Sequence, residues 1–265
     1  MDFQTKILFL GSSDCTPDVG NDSACVLIND KYLFDTGWAS LVNLRRLNID
    51  PADFDHIFFT HMHRDHYLSF PAFIYYYLRV KKPLENMKIF GPAADVSRVV
   101  NLSIAFLQES HRSSADCPLI REMSPQDSYE NDDIRITTCP TLHQVPCLSY
   151  RVFDKNTGRT VSISGDTAYS PVIVEHVRNS DVLIHDAGFG PEADNLSSKT
   201  KSLHSTAEDA GRVANESNAG RLFLVHVSGS KAKNSVLSAS KYYSSGEVCW
   251  PEPNSVYKLS RISEG

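Results

Sequence analysis

Two rhythms of apolar residues alternate along this chain. Short β-branched and aromatic runs read as buried strands, and longer stretches with apolar spacing near 3.6 read as helices. Residues 7–10 form the first strand pattern, stopped by Gly11-Ser12-Ser13. Residues 24–28 and 32–34 flank Asn29-Asp30-Lys31, which predicts a hairpin turn. Helical spacing follows over 40–47, then a strand over 57–60, a helix over 67–80, a strand over 88–90 and a helix over 93–108. Residues 110–125 are polar without clear period and read as a loop. Strands are expected at 134–139, 148–153 and 159–164, the last two joined by Asp154-Lys155-Asn156-Thr157-Gly158. A helix over 171–179 and a strand over 182–185 come next. Ser205-Thr206-Ala207-Glu208 has the S-x-x-E form of a capping box and predicts a helix to about 217. A strand over 221–225, a helix over 234–243 and a closing strand over 256–259 complete the pattern. Strands come first as hairpins and later alternate with helices. That order predicts an α+β fold of two mixed sheets packed face to face, with helices outside.

Bulk composition narrows the class. At 265 residues, 41% hydrophobic and 22% charged, the chain suits a globular protein, and with no repeats or linkers it is expected to form one domain over 1–265. The formal net charge of −6 counts against a dedicated nucleic-acid binder. The six cysteines are scattered without a C-x-x-C pair and read as free thiols. The first residues lack the basic-then-apolar form of a signal peptide, and no apolar run approaches the roughly 20 residues of a membrane helix, so the cytoplasm is the expected location.

The chemistry concentrates in Thr60-His61-Met62-His63-Arg64-Asp65-His66, directly after an apolar strand. Imidazole and carboxylate are zinc ligands. His61 and His63, two residues apart, lean the same way, while Asp65 and His66 can reach a second point. Two adjacent metals are therefore expected rather than one. Four further strand ends deliver similar side chains: His143, Asp166, the pair His185-Asp186, and His226. Any one alone reads as an ordinary surface or core residue; with the cluster they supply enough ligands for a dinuclear site. Asp166 can bridge, since a carboxylate holds two metals about 3.5–4 Å apart. His204 is not required as a ligand and is free to protonate a leaving group, with Asp186 placed to orient it.

These residues resemble the metallo-β-lactamase superfamily, and more narrowly its ribonuclease Z-like branch. Thr60 to His66 is similar to the signature His-x-His-x-Asp-His motif. Leu142-His143-Gln144-Val145-Pro146 with Ser149-Tyr150-Arg151, Ser164-Gly165-Asp166-Thr167, Leu203-His204-Ser205-Thr206-Ala207 and Leu224-Val225-His226-Val227-Ser228 resemble later motifs in order. Leu10-Gly11 and Phe34-Asp35-Thr36-Gly37 are similar to the amino-terminal strands. The resemblance implies an αβ/βα four-layer sandwich with the site at one edge of the sheets. It implies one metal on His61, His63 and His143, another on Asp65, His66 and His226, and Asp166 between them. It also implies that Asp65 helps activate water and that His204 is the general acid. Two Zn2+ ions are the expected cofactors, with Mn2+ or Fe2+ as alternatives, because His/Asp sites accept several metals. Homodimers are common in that branch.

Three departures separate the chain from tRNA-processing relatives. Only a plain hairpin stands where many members carry a tRNA-gripping arm. The His-Glu-Ala-Thr motif reads His185-Asp186-Ala187-Gly188, with a shorter carboxylate. The small residue after the second histidine is Arg64, and the downstream Gly-Leu-Pro-Gly reads Ser69-Phe70-Pro71-Ala72. With the acidic balance, these favour a small anionic substrate, specifically a small or cyclic phosphodiester, with no membrane partner. The alternatives are a lactonase, another esterase or an arylsulfatase on the same fold, or a tRNA 3′-end endonuclease that dispenses with the arm. A binding protein without turnover is disfavoured by the complete ligand set, and a β-lactamase by Asp166 in place of that group's cysteine ligand.

Overall fold

The computed structural model describes residues 3–54, 56–107, 117–191 and 203–262. Its first sheet contains β1 (Gln4–Ser13), β2 (Asp22–Ser23), β3 (Cys25–Ile28), β4 (Tyr32–Phe34), β5 (His56–Phe58), β6 (Lys88–Pro92), β7 (Leu119–Met123) and, from the far end of the chain, β15 (Ser255–Ser260). The order is β15-β1-β3-β4-β5-β6-β7, with β2 beside β1. The hairpin β3–β4 turns through Asn29 and Asp30, both with φ near +55° (53° and 54°), the left-handed pair that matches strand twist. The second sheet is formed by β8 (Ser128–Glu130), β9 (Ile134–Pro140), β10 (Leu148–Asp154), β11 (Thr160–Ile163), β12 (Val182–Asp186), β13 (Arg221–Val225) and β14 (Glu247–Cys249), paired in the order β14-β13-β12-β11-β10-β9-β8.

Period-two alternation sorts side chains into layers. Ile7 and Phe9 face the second sheet and pack with Val152, Ile163, Ile184 and Phe223, whereas Leu8 and Leu10 face the outer helices. Helices α1 (Ser40–Arg46), α3 (Phe70–Arg79) and α4 (Asp95–Phe106) cover the first sheet through Leu44, Phe73 and Val100. Helices α5 (Pro171–His176), α6 (Ala207–Glu216) and α7 (Gly229–Tyr242) cover the second through Ile173, Val213 and Ala239. This is the expected four-layer sandwich. Between the sheets Phe34, Phe58 and Phe90 stack in register, at 5.0 and 4.4 Å between centroids. No helix among the described residues is long and apolar enough to cross a membrane.

Several local expectations are corrected. The segment 110–125 is not all loop: residues 119–123 form β7, an edge strand in which only Met123 is buried, so no apolar alternation marks it, and residues 108–116 lie outside the described set. The helix expected over 67–80 is two pieces, because the histidine cluster itself winds into a helical turn, α2 (Arg64–Tyr67), before α3 starts. The cap of α6 is shifted by one residue. Thr206, not Ser205, accepts from the Asp209 backbone, and Asp209 answers from the third position. Helix α7 starts five residues earlier than the spacing predicts, at Gly229 rather than 234, because small and charged residues fill its first turns. Strands β2, β8 and β14 are too short to show a period.

Candidate metal centre

The site lies where strand ends of both sheets meet. β5 runs out at Phe58 and hands the chain to Thr60 and His61. His61 bridges to Cys147, and the Leu148 amide donates to the Thr60 carbonyl at 2.9 Å, which ties the two sheets together under the cluster. The Tyr150 hydroxyl, fully buried, donates to the Phe59 carbonyl at 2.8 Å and pins the same seam from below. α2 carries Asp65 and His66, the β9–β10 loop carries His143, the turn after β11 carries Asp166, β12 ends on Asp186, and β13 delivers His226. His226 holds φ at 60°, a conformation costly for a non-glycine residue, so the surrounding packing enforces its aim.

All the acidic and imidazole side chains expected from the sequence converge, with one exception. Asp166 Oδ2 lies 3.5 Å from His61 Nε2, 3.6 Å from His66 Nε2, 3.5 Å from His226 Nε2 and 3.9 Å from His143 Nε2. Asp65 Oδ2 lies 3.2 Å from His66 Nε2 and 3.3 Å from His226 Nε2. The donors fall into groups within 4.8 Å of one another: His61, His63, His143 and Asp166; and Asp65, His66 and His226. A further group joins Asp166 and His226 to Asp186 and His204. The exception is His185. It alternates with Asp186 on β12, so its ring turns to the helical layer and bonds the Asp186 carbonyl at 2.8 Å.

The chemistry of the donor set fits cations. Thr60 Oγ1 donates to Asp35 and so accepts from His61 Nδ1 at 3.0 Å; His66 Nδ1 donates to Asp35 Oδ2 at 2.8 Å; His143 Nδ1 donates to the Leu203 carbonyl at 2.7 Å. With the Nδ1 atoms so engaged, Nε2 is the atom each ring turns to the cluster; at His66 burial is outweighed by the Asp166 and Asp35 carboxylates, which raise its pKa well above the ordinary value. Burial pushes the His61, His63 and His143 pKa values down, so these rings stay neutral. Yet His61 Nε2 and His143 Nε2 each approach His63 Nδ1 to 3.0 Å, and His66 Nε2 is buried without a hydrogen bond. A single proton on His63 Nδ1 can serve one of these two contacts and not both, so the converging ring nitrogens leave acceptor capacity that a cation would satisfy. The carboxylates run the other way. Burial opposes ionisation of Asp166, but His226, His66 and His61 outweigh it and hold the carboxyl well below its ordinary range; the Asp65 carboxyl is lowered by His226 and His66 against the same burial.

His204 stands at the open rim. Its Nδ1 is 3.0 Å from Asp186 Oδ2 and its ring stacks on His226 at 5.0 Å. Asp186 is fixed in turn by the amides of Thr167 at 2.9 Å and Gly188 at 2.7 Å. Burial alone would lower the His204 pKa, but the Asp186 carboxylate prevails and raises it. A cavity of about 290 Å³ opens here, lined by Cys15, His63, Arg64, Asp65, Gln144, Asp166, His204 and His226.

Sequence reasoning did not assign three contributors. Asp35 reads only as a strand end, yet its buried carboxylate holds Thr60 N, Thr60 Oγ1 and His66 Nδ1, each at 2.8 Å. Its signal was available: a carboxylate at the end of a buried strand, like the others. Gly188 leaves the gap between His204, His226 and Asp186, where a Cβ would come within 2.9 Å of His226 Nδ1. Gln144 places its amide 3.2 Å from His63 Nε2.

Comparison with known proteins identifies the family. A family model described as the beta-lactamase superfamily domain matches residues 30–227. The ribonuclease Z of Archaeoglobus fulgidus is 24% identical over 274 aligned residues, covering 84% of this chain and 87% of that protein. Among solved structures, the metallo-beta-lactamase fold protein YhfI from Bacillus subtilis superposes with a TM-score of 0.82 at 23% identity, over 98% of this chain and 100% of that one. A diphosphatase from the PhnP family superposes with a TM-score of 0.70 at 16% identity, over 99% and 100% of the two chains. The chain belongs to the beta-lactamase superfamily and is a metal-dependent hydrolase of the metallo-β-lactamase fold.

Proposed function

We propose that this chain is a phosphodiesterase for small or cyclic phosphodiesters, holding two divalent ions, zinc foremost and manganese or iron as alternatives. His61, His63 and His143 would hold one ion and Asp65, His66 and His226 the other, with Asp166 a further ligand within reach of both groups. When bound, such a pair makes hydroxide available near neutral pH and offsets charge on the phosphoryl oxygens. Asp65 orients the attacking water. The water oxygen bonds to phosphorus as the bond from phosphorus to the leaving oxygen breaks, and His204 supplies the proton that this alkoxide requires. Asp186 occupies Nδ1 of His204, so Nε2 is the atom that meets the leaving group. One water is consumed, and a monoester and an alcohol result.

The observation that carries this reading is the Asp186–His204 pair at 3.0 Å on the rim of the cavity. A departing alkoxide needs a proton, whereas the phenoxide released from an aryl sulfate is stable enough to need one far less; a lactone also expels an alkoxide, and the screen below separates it from the diester. The described segment joining β10 to β11 is a short turn over 155–159, which supports a small substrate over a gripped tRNA. The same fold in the PhnP-family diphosphatase and the sequence match to ribonuclease Z support chemistry at phosphorus.

The test is a metal-replete screen of a phosphodiester, a phosphomonoester, a lactone, an aryl sulfate and a pre-tRNA, with elemental analysis of the same sample. The expected result is about two transition metals per chain and turnover of the diester above the others. Activity in metal-free protein, or a preference for lactone or sulfate, overturns the proposal. Cleavage of pre-tRNA with a steep loss of affinity on adding salt would establish the endonuclease reading instead.

A further inference from the structure

A second cavity adjoins the metal centre. It measures about 420 Å³, within the ~300–1,000 Å³ typical of small-molecule pockets. It runs across the seam between the sheets, from the turn after β6 (Pro92, Ala93) and the end of β7 (Met123–Pro125) to the β9–β10 loop. His143 forms part of its wall, and Gln144 lines both this groove and the cavity at the metal centre. The groove therefore continues directly from the site of hydrolysis.

Its lining carries no fixed charge. Pro92, Pro125, Pro140 and Pro146 supply hydrocarbon, Met123 adds a polarisable thioether, Ser124, Thr141, His143 and Gln144 supply the polar part, and among the described residues no Lys, Arg, Asp or Glu contributes. Thioethers make favourable contacts with aromatic rings. Arg64, by contrast, lines the other cavity, across His63 and Gln144. A phosphoryl group at the metal centre thus has a cation on one side and an uncharged groove on the other.

Resting on the phosphodiesterase reading, we infer that the groove seats an uncharged aromatic ring carried by one arm of the substrate. The preferred substrate is then an unsymmetrical diester with a single aromatic or nucleobase-bearing arm. The groove selects it through shape and apolar contact, because its polar lining side chains, Ser124, Thr141, His143 and Gln144, carry no fixed charge to match an ionic arm.

Equilibrium binding tests this without turnover. Phenyl phosphate, thymidine 5′-monophosphate and methyl phosphate are titrated into the metal-loaded protein by calorimetry. Phenyl phosphate is expected to bind at least tenfold more tightly than methyl phosphate. Thymidine 5′-monophosphate separates the two sources of a ring: a gain equal to that of phenyl phosphate or larger assigns a nucleoside arm, and a smaller one assigns a simple aryl arm. Ser124→Trp and Ala93→Trp, both at exposed positions on the groove, are expected to bring the phenyl-to-methyl ratio to about one. As a check independent of the variants, the methyl resonance of Met123 should shift with phenyl phosphate and stay put with methyl phosphate. Equal affinities in the unaltered protein, or a ratio that survives both substitutions, overturns the inference. Hydrolysis of methyl p-nitrophenyl phosphate reports separately on the phosphodiesterase reading, because that substrate is judged on turnover and not on the binding ratio.

Discussion

Asp186 Oδ2 lies 3.0 Å from His204 Nδ1, and the same oxygen accepts the Thr167 amide at 2.9 Å. The shorter carboxylate at this position reaches the histidine because the backbone of β12 and the amide of Gly188 hold it forward. The histidine is thereby presented to the cavity through Nε2. His204→Ala should cut kcat by about 10²–10⁴, the usual contribution of a general acid, with metal content unchanged by elemental analysis. His204 Nδ1 is also 3.8 Å from Asp166 Oδ2, so loss of metal in this variant would instead make it a ligand and remove it from the proton-transfer role. Asp186→Asn should cost less than His204→Ala, since it disturbs the tautomer and leaves the ring in place.

Asp35 touches His66 and Thr60 from behind the cluster. Its carboxylate joins the strand end of β4 to Thr60 and His66, and through Thr60 Oγ1 it also sets the tautomer of His61. Asp35→Asn keeps the shape and removes an acceptor. The expected outcome is a 10–100-fold weaker metal affinity, read by competition with a chromophoric chelator. An unchanged affinity with lowered thermal stability would make Asp35 a purely structural residue.

The layers and the convergence of ligands were legible because each depends on a strong local signal. Buried strands such as 221–225 are continuous apolar runs, and each ends on a polar side chain that has no business in a core unless something binds there. What was not legible depends on contacts between distant segments. Asp35 and His66 are 31 positions apart and look unrelated until β4 and β5 pair. The helical turn α2 was hidden because its four residues have no apolar period to display. His185 was grouped with Asp186 since neighbours in sequence look alike there, yet the pleat sends them to opposite faces.

Gly188 marks a steric limit at the centre of the site. A Cβ there would approach His226 Nδ1 to 2.9 Å, Asp186 Oδ1 to 3.1 Å and His204 Nδ1 to 3.2 Å. The first distance is shorter than real side chains tolerate, and all three neighbours are fixed by other bonds or by packing. Gly188→Ala should therefore displace His204 from His226 and reduce kcat by about tenfold or more, since small misplacements at a reacting centre are costly. Thermal unfolding should shift little, because the rim is half-exposed. A fully active Gly188→Ala enzyme would show that the rings have room to adjust.

His176 gives the fold a pH dependence that is separate from the metal centre. It lies at the end of α5, and burial, reinforced by the nearby Arg151 guanidinium, pushes its pKa down to about 4. Its Nε2 is buried without a hydrogen bond, and the ring's bond to the Thr137 backbone offsets only part of the loss of water on protonation. In the unfolded chain the same group titrates near the ordinary value of ~6.5. Above that value both states carry the neutral ring and it contributes no pH dependence. As pH falls from ~6.5 towards about 4, the unfolded state takes up a proton that the folded state refuses, so stability falls with it. At about 1.4 kcal/mol per unit, the loss attributable to this one group levels off near ~3 kcal/mol. Replacing the ring by a neutral amide in His176→Gln should remove that increment. Urea unfolding of both proteins at pH 7.5 and pH 4.5 measures it as a difference, which cancels the contributions of the carboxylates. Parallel pH dependences for the two proteins would mean that the folded state accommodates the imidazolium after all, with Arg151 swung away from it.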